Sequence, residues 1–458
     1  MKISTGLRVI LASLGLSLPA AGANHPASTD PLLWTVQDEL TANTNGAIDG
    51  AAGDTFGEAV AISGTIAVVG APKHTPNGLT QAGAAYIWAK SGTTWTLKQE
   101  LTANDGAKED WFGQSVAVSG TTVVVGAPFH AVGGHAEAGA AYVFSESIGG
   151  VWSLQDELTA SDAAASDEFG NAVAVTGTTA IVGAPFHESN GHGEAGAAYI
   201  FASGNGGGWS QQAELTASDG RTGDLFGFAV SISGATAIVG AYQHDVGPNL
   251  SAGSAYVWTQ SGGSWSMQQE LTASDGAISD FFGFSVSVSG TTALVGAYQH
   301  NVGALASAGA AYVWEETAGA WSLQKELTAS DGAANDFFGY SVSVSGGTAI
   351  VGAFNHPVGS FSQAGAAYGF VRSGTVWSQE QEFDGVAASA NCGYSVALSG
   401  TTAAVGAWGQ ASSAGAAYLL APTVTMAAPA LGKTGPVLVV FVLLGGLIAI
   451  FKKERTRA

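Results

Sequence analysis

Residues 275–327 read DGAISDFFGFSVSVSGTTALVGAYQHNVGALASAGAAYVWEETAGAWSLQKEL, and near-copies of this stretch fill the chain from residue 34 to residue 420. Phe-Gly recurs at Phe56, Phe112, Phe169, Phe226, Phe282 and Phe338, and Cys392-Gly393 takes the seventh place. The spacings are 56, 57, 57, 56, 56 and 54 residues. A fixed period in this range marks units that cannot bury their own faces and must stack into one body.

Each unit reads as four strands. Ser285 to Ser289 alternates small polar and β-branched residues, the signature of a strand. Ser289-Gly290 supplies a tight hairpin turn, where glycine tolerates positive φ. Thr291 to Ala297 is an almost continuous apolar run, as in a strand covered on both faces. Gly309 to Trp314 forms the third strand. Trp321, Leu323 and Leu327 then alternate with Ser322, Gln324 and Glu326, which predicts a half-exposed outer strand whose polar residues discourage edge pairing.

Four antiparallel strands repeated radially make a β-propeller. A parallel β-helix is the alternative, with shorter and less hairpin-like coils. The strand count favours closure. Gly-Ala strands occur at Gly70, Gly126, Gly183, Gly240, Gly296, Gly352 and Gly406, and Ala-Tyr strands at Tyr86, Tyr142, Tyr199, Tyr256, Tyr312, Tyr368 and Tyr418. Outer strands begin at Trp34, Trp95, Trp152, Trp209, Trp265, Trp321 and Trp377. One outer strand therefore precedes the first Phe-Gly, and none follows Tyr418. The expectation is an all-β, seven-bladed propeller of four-stranded antiparallel blades, in which Trp34–Leu40 pairs with residues 416–420 and shuts the ring.

Composition agrees with strands and turns: 11% charged residues, 46% hydrophobic residues and 66 glycines. A net charge of −21 excludes nucleic acid and anionic lipid surfaces as partners, since both would be repelled. It leaves divalent cations and cationic ligands open. The lone Cys392 rules out an intrachain disulfide and stands where other units place a core Phe, so it is read as a small buried hydrophobe.

The two ends read as addresses. Lys2 and Arg8 precede the apolar run Val9 to Leu18, with Ala21-Gly22-Ala23 as a cleavage site, which predicts a signal peptide over residues 1–23. A lead over 24–33, the propeller over 34–420 and a linker over 421–435 follow. Residues 436–451 are uncharged and precede a basic tail over 452–458. They predict a short transmembrane segment with the tail in the cytoplasm and the propeller outside. Leu431-Gly432-Lys433-Thr434-Gly435 resembles a sortase-type LPxTG box, with Gly432 in place of its proline. The whole ending is equally similar to the tripartite sorting signals of Gram-negative bacteria, and a plain membrane anchor is the other reading.

Phe112-Gly113, Gly126-Ala127-Pro128 and Gly139-Ala140-Ala141-Tyr142-Val143-Phe144 together resemble the FG-GAP repeat, whose family includes the N-terminal propeller of integrin α subunits and many bacterial surface proteins. The resemblance implies extracellular binding and adhesion by a monomeric propeller, with a protein or glycan ligand. It also implies Ca²⁺ loops between the first two strands of a blade. Here those connections are two-residue Ser-Gly turns such as Ser119-Gly120, with no room for oxygen ligands, so that feature does not carry over.

Loops after the second and fourth strands of a blade should emerge on one face. Before each Phe-Gly stand Asp54, Asp110, Asp167, Asp224, Asp280 and Asp336, and five residues earlier stand Asp49, Asp105, Asp162, Asp219, Asp275 and Asp331. Asp384 is the looser counterpart in the last unit. After each Gly-Ala come His74, His130, His187, His244, His300 and His356, with Gln410 in the seventh unit. One reading makes the Asp residues turn-closers and has each His donate to a loop carbonyl. The other makes them ligands of Ca²⁺ or another divalent cation. Units 2 and 3 alone add His135 with Glu137 and His192 with Glu194, and two His plus a carboxylate suit Zn²⁺. Asn249-Leu250-Ser251 is a formal glycosylation sequon.

No nucleophile elbow, P-loop or HExxH is present. The favoured reading is a secreted, surface-anchored binding and adhesion module. A metal-dependent hydrolase or lyase on the Asp/His face and a structural surface-coat protein are the alternatives.

Overall fold

The computed structural model describes residues 34–42, 50–204, 207–422, 441–443 and 446–448, and the chain divides into a unit over 1–422 and another over 423–458. In the first unit, seven four-stranded antiparallel sheets follow one another in chain order. Blade 5 shows the plan: Ser285–Ser289, Thr292–Ala297, Ala310–Thr317 and Ala320–Leu327. The first strands of successive blades neighbour one another, and that of blade 7 (Ser395–Ser399) returns to that of blade 1 (Ala59–Ser63). A ring closed in this way is a β-propeller, with the first strands around its axis.

Trp34–Leu40 is the fourth strand of blade 7 and pairs antiparallel with Ala416–Pro422. It carries the same irregularity as the other outer strands. The register shifts between Val36 and Asp38, leaving Gln37 as the extra residue, just as Gln324 is extra in blade 5. Such bulges strengthen local twist. The stitching between outer strands is also repeated. Gln269 accepts from the Trp321 amide and donates to its carbonyl, both at 2.9 Å. Gln381 does the same to Trp34, so the ring is shut by the contact that joins blades elsewhere.

Close approach explains the recurring glycines. A Cβ on Gly296 would lie 2.0 Å from the Gly339 carbonyl oxygen of the next blade, and one on Gly309, at φ +86°, would lie 2.0 Å from that of Phe338. Between these planes, Phe282 packs on Tyr312 with ring centroids 5.4 Å apart, and both are buried. The interface between blades 6 and 7 exchanges volumes: Cys392 of blade 7 fills the Phe position, and Phe383 on the outer strand of blade 6 takes the Leu position beside Tyr418, at 5.3 Å. Cys392 is fully buried, which pushes its thiol pKa up and keeps it protonated.

The second unit shows Phe441–Leu443 pairing antiparallel with Gly446–Ile448. The rest of the expected membrane span over 436–451 lies outside the described residues, as do the signal peptide and the sorting-like motif. Among the described residues no helix is long and apolar enough to cross a membrane.

Candidate functional site

Two structures occupy the face where the second and fourth strands of each blade end. The first is a rim repeated from blade to blade. In blade 5, Asp280 lies on the connection before Phe282 and accepts the Ala277 amide at 2.8 Å. Its same oxygen takes the Nδ1 proton of His300 at 2.8 Å, with Asp280 2% and His300 10% exposed. A carboxylate cannot donate, so the pair fixes Nδ1–H and turns Nε2 outward. Nε2 then faces Asp275 Oδ2 at 3.7 Å and Glu326 Oε1 at 3.8 Å. Tyr312 steadies the first of these by donating its hydroxyl to Asp275 Oδ1 at 3.0 Å.

The same arrangement recurs as Asp105, His130 and Glu157; Asp162, His187 and Glu214; Asp219, His244 and Glu270; and Asp331, His356 and Glu382. In blade 1, His74 bonds Asp54 at 2.8 Å and faces Glu100 at 3.7 Å, while Asp49 lies outside the described residues. Blade 7 replaces the set: Gln410 accepts the Tyr418 hydroxyl proton and donates to Glu39 at 2.8 Å.

Electrostatics follow from this geometry. The hydrogen bond to Asp280 raises the His300 pKa against the opposing effect of burial, and the charges of Asp280, Asp275 and Glu326 add to it. His130, His187 and His356 are raised by the corresponding partners. At His244 burial is the largest effect and lowers the value, but Asp224, Asp219 and Glu270 together outweigh it. Burial, then the neighbouring outer Asp, raises the carboxyls of Glu157, Glu214 and Glu326. Glu382 is pushed up to about 7 by burial and by Asp384.

The sequence-derived residues thus sort into roles. Asp110, Asp167, Asp224, Asp280 and Asp336 are buried and spent on their histidines rather than displayed as ligands. Each His donates to that carboxylate and not to a loop carbonyl, which corrects the turn-only reading. Asp105, Asp162, Asp219, Asp275 and Asp331 do meet the histidines. His135, Glu137, His192 and Glu194 stay exposed, and none joins a group with donor atoms at metal-ligand range among the described residues. The outer-strand glutamates were missed. Their signal is a Glu just before the closing Leu or Phe of every outer strand, from Glu39 to Glu382.

The second structure is not repeated. It is built from the residue after each Phe-Gly, at the start of the axial strand, and the residue after each Gly-Ala. In blades 1 to 3 these are Glu58, Gln114 and Asn171, with Pro72, Pro128 and Pro185. In blades 4 to 7 they are Phe228, Phe284, Tyr340 and Tyr394, with Tyr242, Tyr298, Phe354 and Trp408. The aromatic ones touch in series across blades. Phe228 meets Phe284 at 5.0 Å, Phe284 meets Tyr340 at 4.8 Å, and Tyr340 meets Tyr394 at 4.9 Å. Tyr298 lies 4.4 Å from Phe284, and Phe354 lies 4.4 Å from Tyr340. All of these are half-buried, so part of each ring faces solvent at the channel mouth.

The opposite arc is polar. Burial raises the Glu58 carboxyl, against the opposing influence of the neighbouring Thr55, Lys73 and Gln114. Gln114 Oε1 is buried without a hydrogen-bond partner among the described residues. Burial also raises the phenols of Tyr242, Tyr298, Tyr340 and Tyr394, which therefore stay protonated donors at neutral pH. An apolar floor beside a few polar groups is the usual make-up of a ligand seat.

A comparison with known families matches the model described as FG-GAP repeat seven times, at residues 34–88, 95–144, 152–201, 209–258, 265–314, 321–370 and 377–420. No curated protein matches the chain.

Proposed function

We propose a function from one premise: this chain belongs to the FG-GAP repeat family, whose repeat it carries seven times. The fold supports a binding-module role. Our reading is an extracellular, surface-anchored adhesion module that seats a glycan at the channel mouth. One observation carries it: the half-exposed aromatic arc from Phe228 to Tyr394, facing Glu58, Gln114 and Asn171. A repeat built for packing alone has no need to differ between halves of its ring. Sugar rings present C–H faces that lie on aromatic rings and hydroxyls that meet amides, carboxylates and phenols. The net charge of −21 favours neutral or cationic glycans over sulfated ones. The apolar and basic residues over 436–458 support the anchor, and the N-terminal 23 residues support export.

The test is retention on a glycan array by the full chain and by a Phe284→Ala/Tyr340→Ala variant. Saturable binding that the double variant loses by at least tenfold supports the reading. Retention that the double variant keeps would move the ligand elsewhere on the molecule.

A further inference from the structure

The rim has a property that turn closure does not require. Its buried aspartate accounts for one ring nitrogen of each histidine, and the other nitrogen points at two carboxylates carried by different elements. In blade 4 the His244 side chain is 5% exposed, and its Nε2 stands 3.7 Å from Asp219 Oδ2 and 4.0 Å from Glu270 Oε1. Both distances exceed hydrogen-bond range. Asp219 is 46% exposed and Glu270 31%, so neither is barred by packing from closing on Nε2 as Asp224 closes on Nδ1, at 2.7 Å. Instead one oxygen of Asp219 is held by Tyr256 at 3.0 Å, Glu270 Oε1 takes the Ser254 hydroxyl proton at 2.7 Å, and the three donor atoms lie within 4.8 Å of one another. Among the described residues this geometry is kept in five blades, and blade 1 repeats its His74–Glu100 part at 3.7 Å.

We propose that these five Asp–His–Glu sets are binding sites for a divalent transition metal of the Zn²⁺ class. Each offers one imidazole nitrogen and two carboxylate oxygens, a donor set that Zn²⁺ accepts at ~2.0–2.2 Å while keeping a further position for water or a ligand. Donors around such an ion sit ~3.3 Å apart, so each set closes by side-chain adjustment without moving a strand. Ca²⁺ takes six to eight oxygens and fits poorly. The buried aspartate is the positioning residue. A carboxylate that takes the far N–H of a ligating histidine fixes its tautomer and its aim. The inference is independent of the glycan reading, because the rim and the mouth share no side chain.

The experiment titrates Zn²⁺ into the chelator-stripped full chain, with Ca²⁺ and Mg²⁺ as comparators and the Co²⁺ absorption spectrum as a second readout. Wild type should bind at least about five Zn²⁺, one for each set among the described residues. Glu270→Gln lies on a half-exposed outer strand and leaves the Asp224–His244 pair in place. It should remove one site, weakening that site at least tenfold, with the metal-free melting temperature unchanged. Changing Glu100, Glu157, Glu214, Glu270, Glu326 and Glu382 together to Gln should abolish saturable binding and the Co²⁺ bands. Absence of saturable Zn²⁺ binding, a stoichiometry indifferent to these substitutions, or equal affinity for Ca²⁺ would each overturn the proposal.

Discussion

Phe282 and Phe284 are two residues apart in one blade and belong to different parts of the molecule. Phe282 has a counterpart in five of the other six blades, is wholly buried and touches its own blade's Tyr312. The Phe284 position changes from Glu58 to Tyr394 around the ring, and Phe284 is half-exposed and touches the neighbouring blades' Phe228 and Tyr340. A residue kept in six of the seven units answers to the interface between blades, which is repeated around the ring and compensated where Cys392 replaces the Phe. A residue free to vary sits where the ring as a whole, and not the single blade, meets its surroundings.

The sharpest contrast is in stability. Phe282→Ala should cost about 3–5 kcal/mol by emptying a closed interblade site, read as a large fall in denaturation midpoint. Phe284→Ala should cost about 1 kcal/mol, since it removes ring contacts at a solvent-facing position. Equal losses at the two positions would erase the distinction.

Asp280→Ala probes the buried half of the rim. It leaves the His300 Nδ1–H and the Ala277 amide without their acceptor. A loss of about 2–3 kcal/mol is expected, with no change in glycan retention. Retention that falls with Asp280 would join rim and mouth into one site.

Asymmetry should also be visible in pH. Glu168 is raised to about 7 by burial and by the charge of Glu137. A carboxyl whose folded pKa exceeds its unfolded value is unpenalised below about 4.5, the value from which it is raised. It becomes destabilising as pH rises toward 7, and fully so above it. Glu168→Gln should therefore raise the melting temperature by about 1 °C at pH 8 and leave it unchanged at pH 4. The opposite order would mean that Glu168 is stabilised as a carboxylate.

The sequence made the repeated part legible and hid the rest for a physical reason. Seven copies of Phe-Gly, Gly-Ala and Ala-Tyr report the blade, and the unmatched Trp34 strand reports its closure, because both follow from strand order alone. The Asp–His pairs were visible as recurring residue types. Their division into a buried aspartate that aims the ring and an exposed one that faces it depends on burial, which spacing does not encode. Glu326 looked like an ordinary polar residue of a half-exposed strand. The aromatic arc escaped because each of its members stands next to a stronger motif, and only the closed ring brings Phe228, Phe284, Tyr340 and Tyr394 side by side.

The most direct test compares glycan retention and melting temperature for wild type, Phe282→Ala and Phe284→Ala/Tyr340→Ala. The account predicts that Phe282→Ala lowers the melting temperature strongly and retains its ligand while folded, whereas the double variant stays folded and loses retention at least tenfold. A double variant that binds as wild type does, beside a Phe282→Ala protein that does not while still folded, would contradict it.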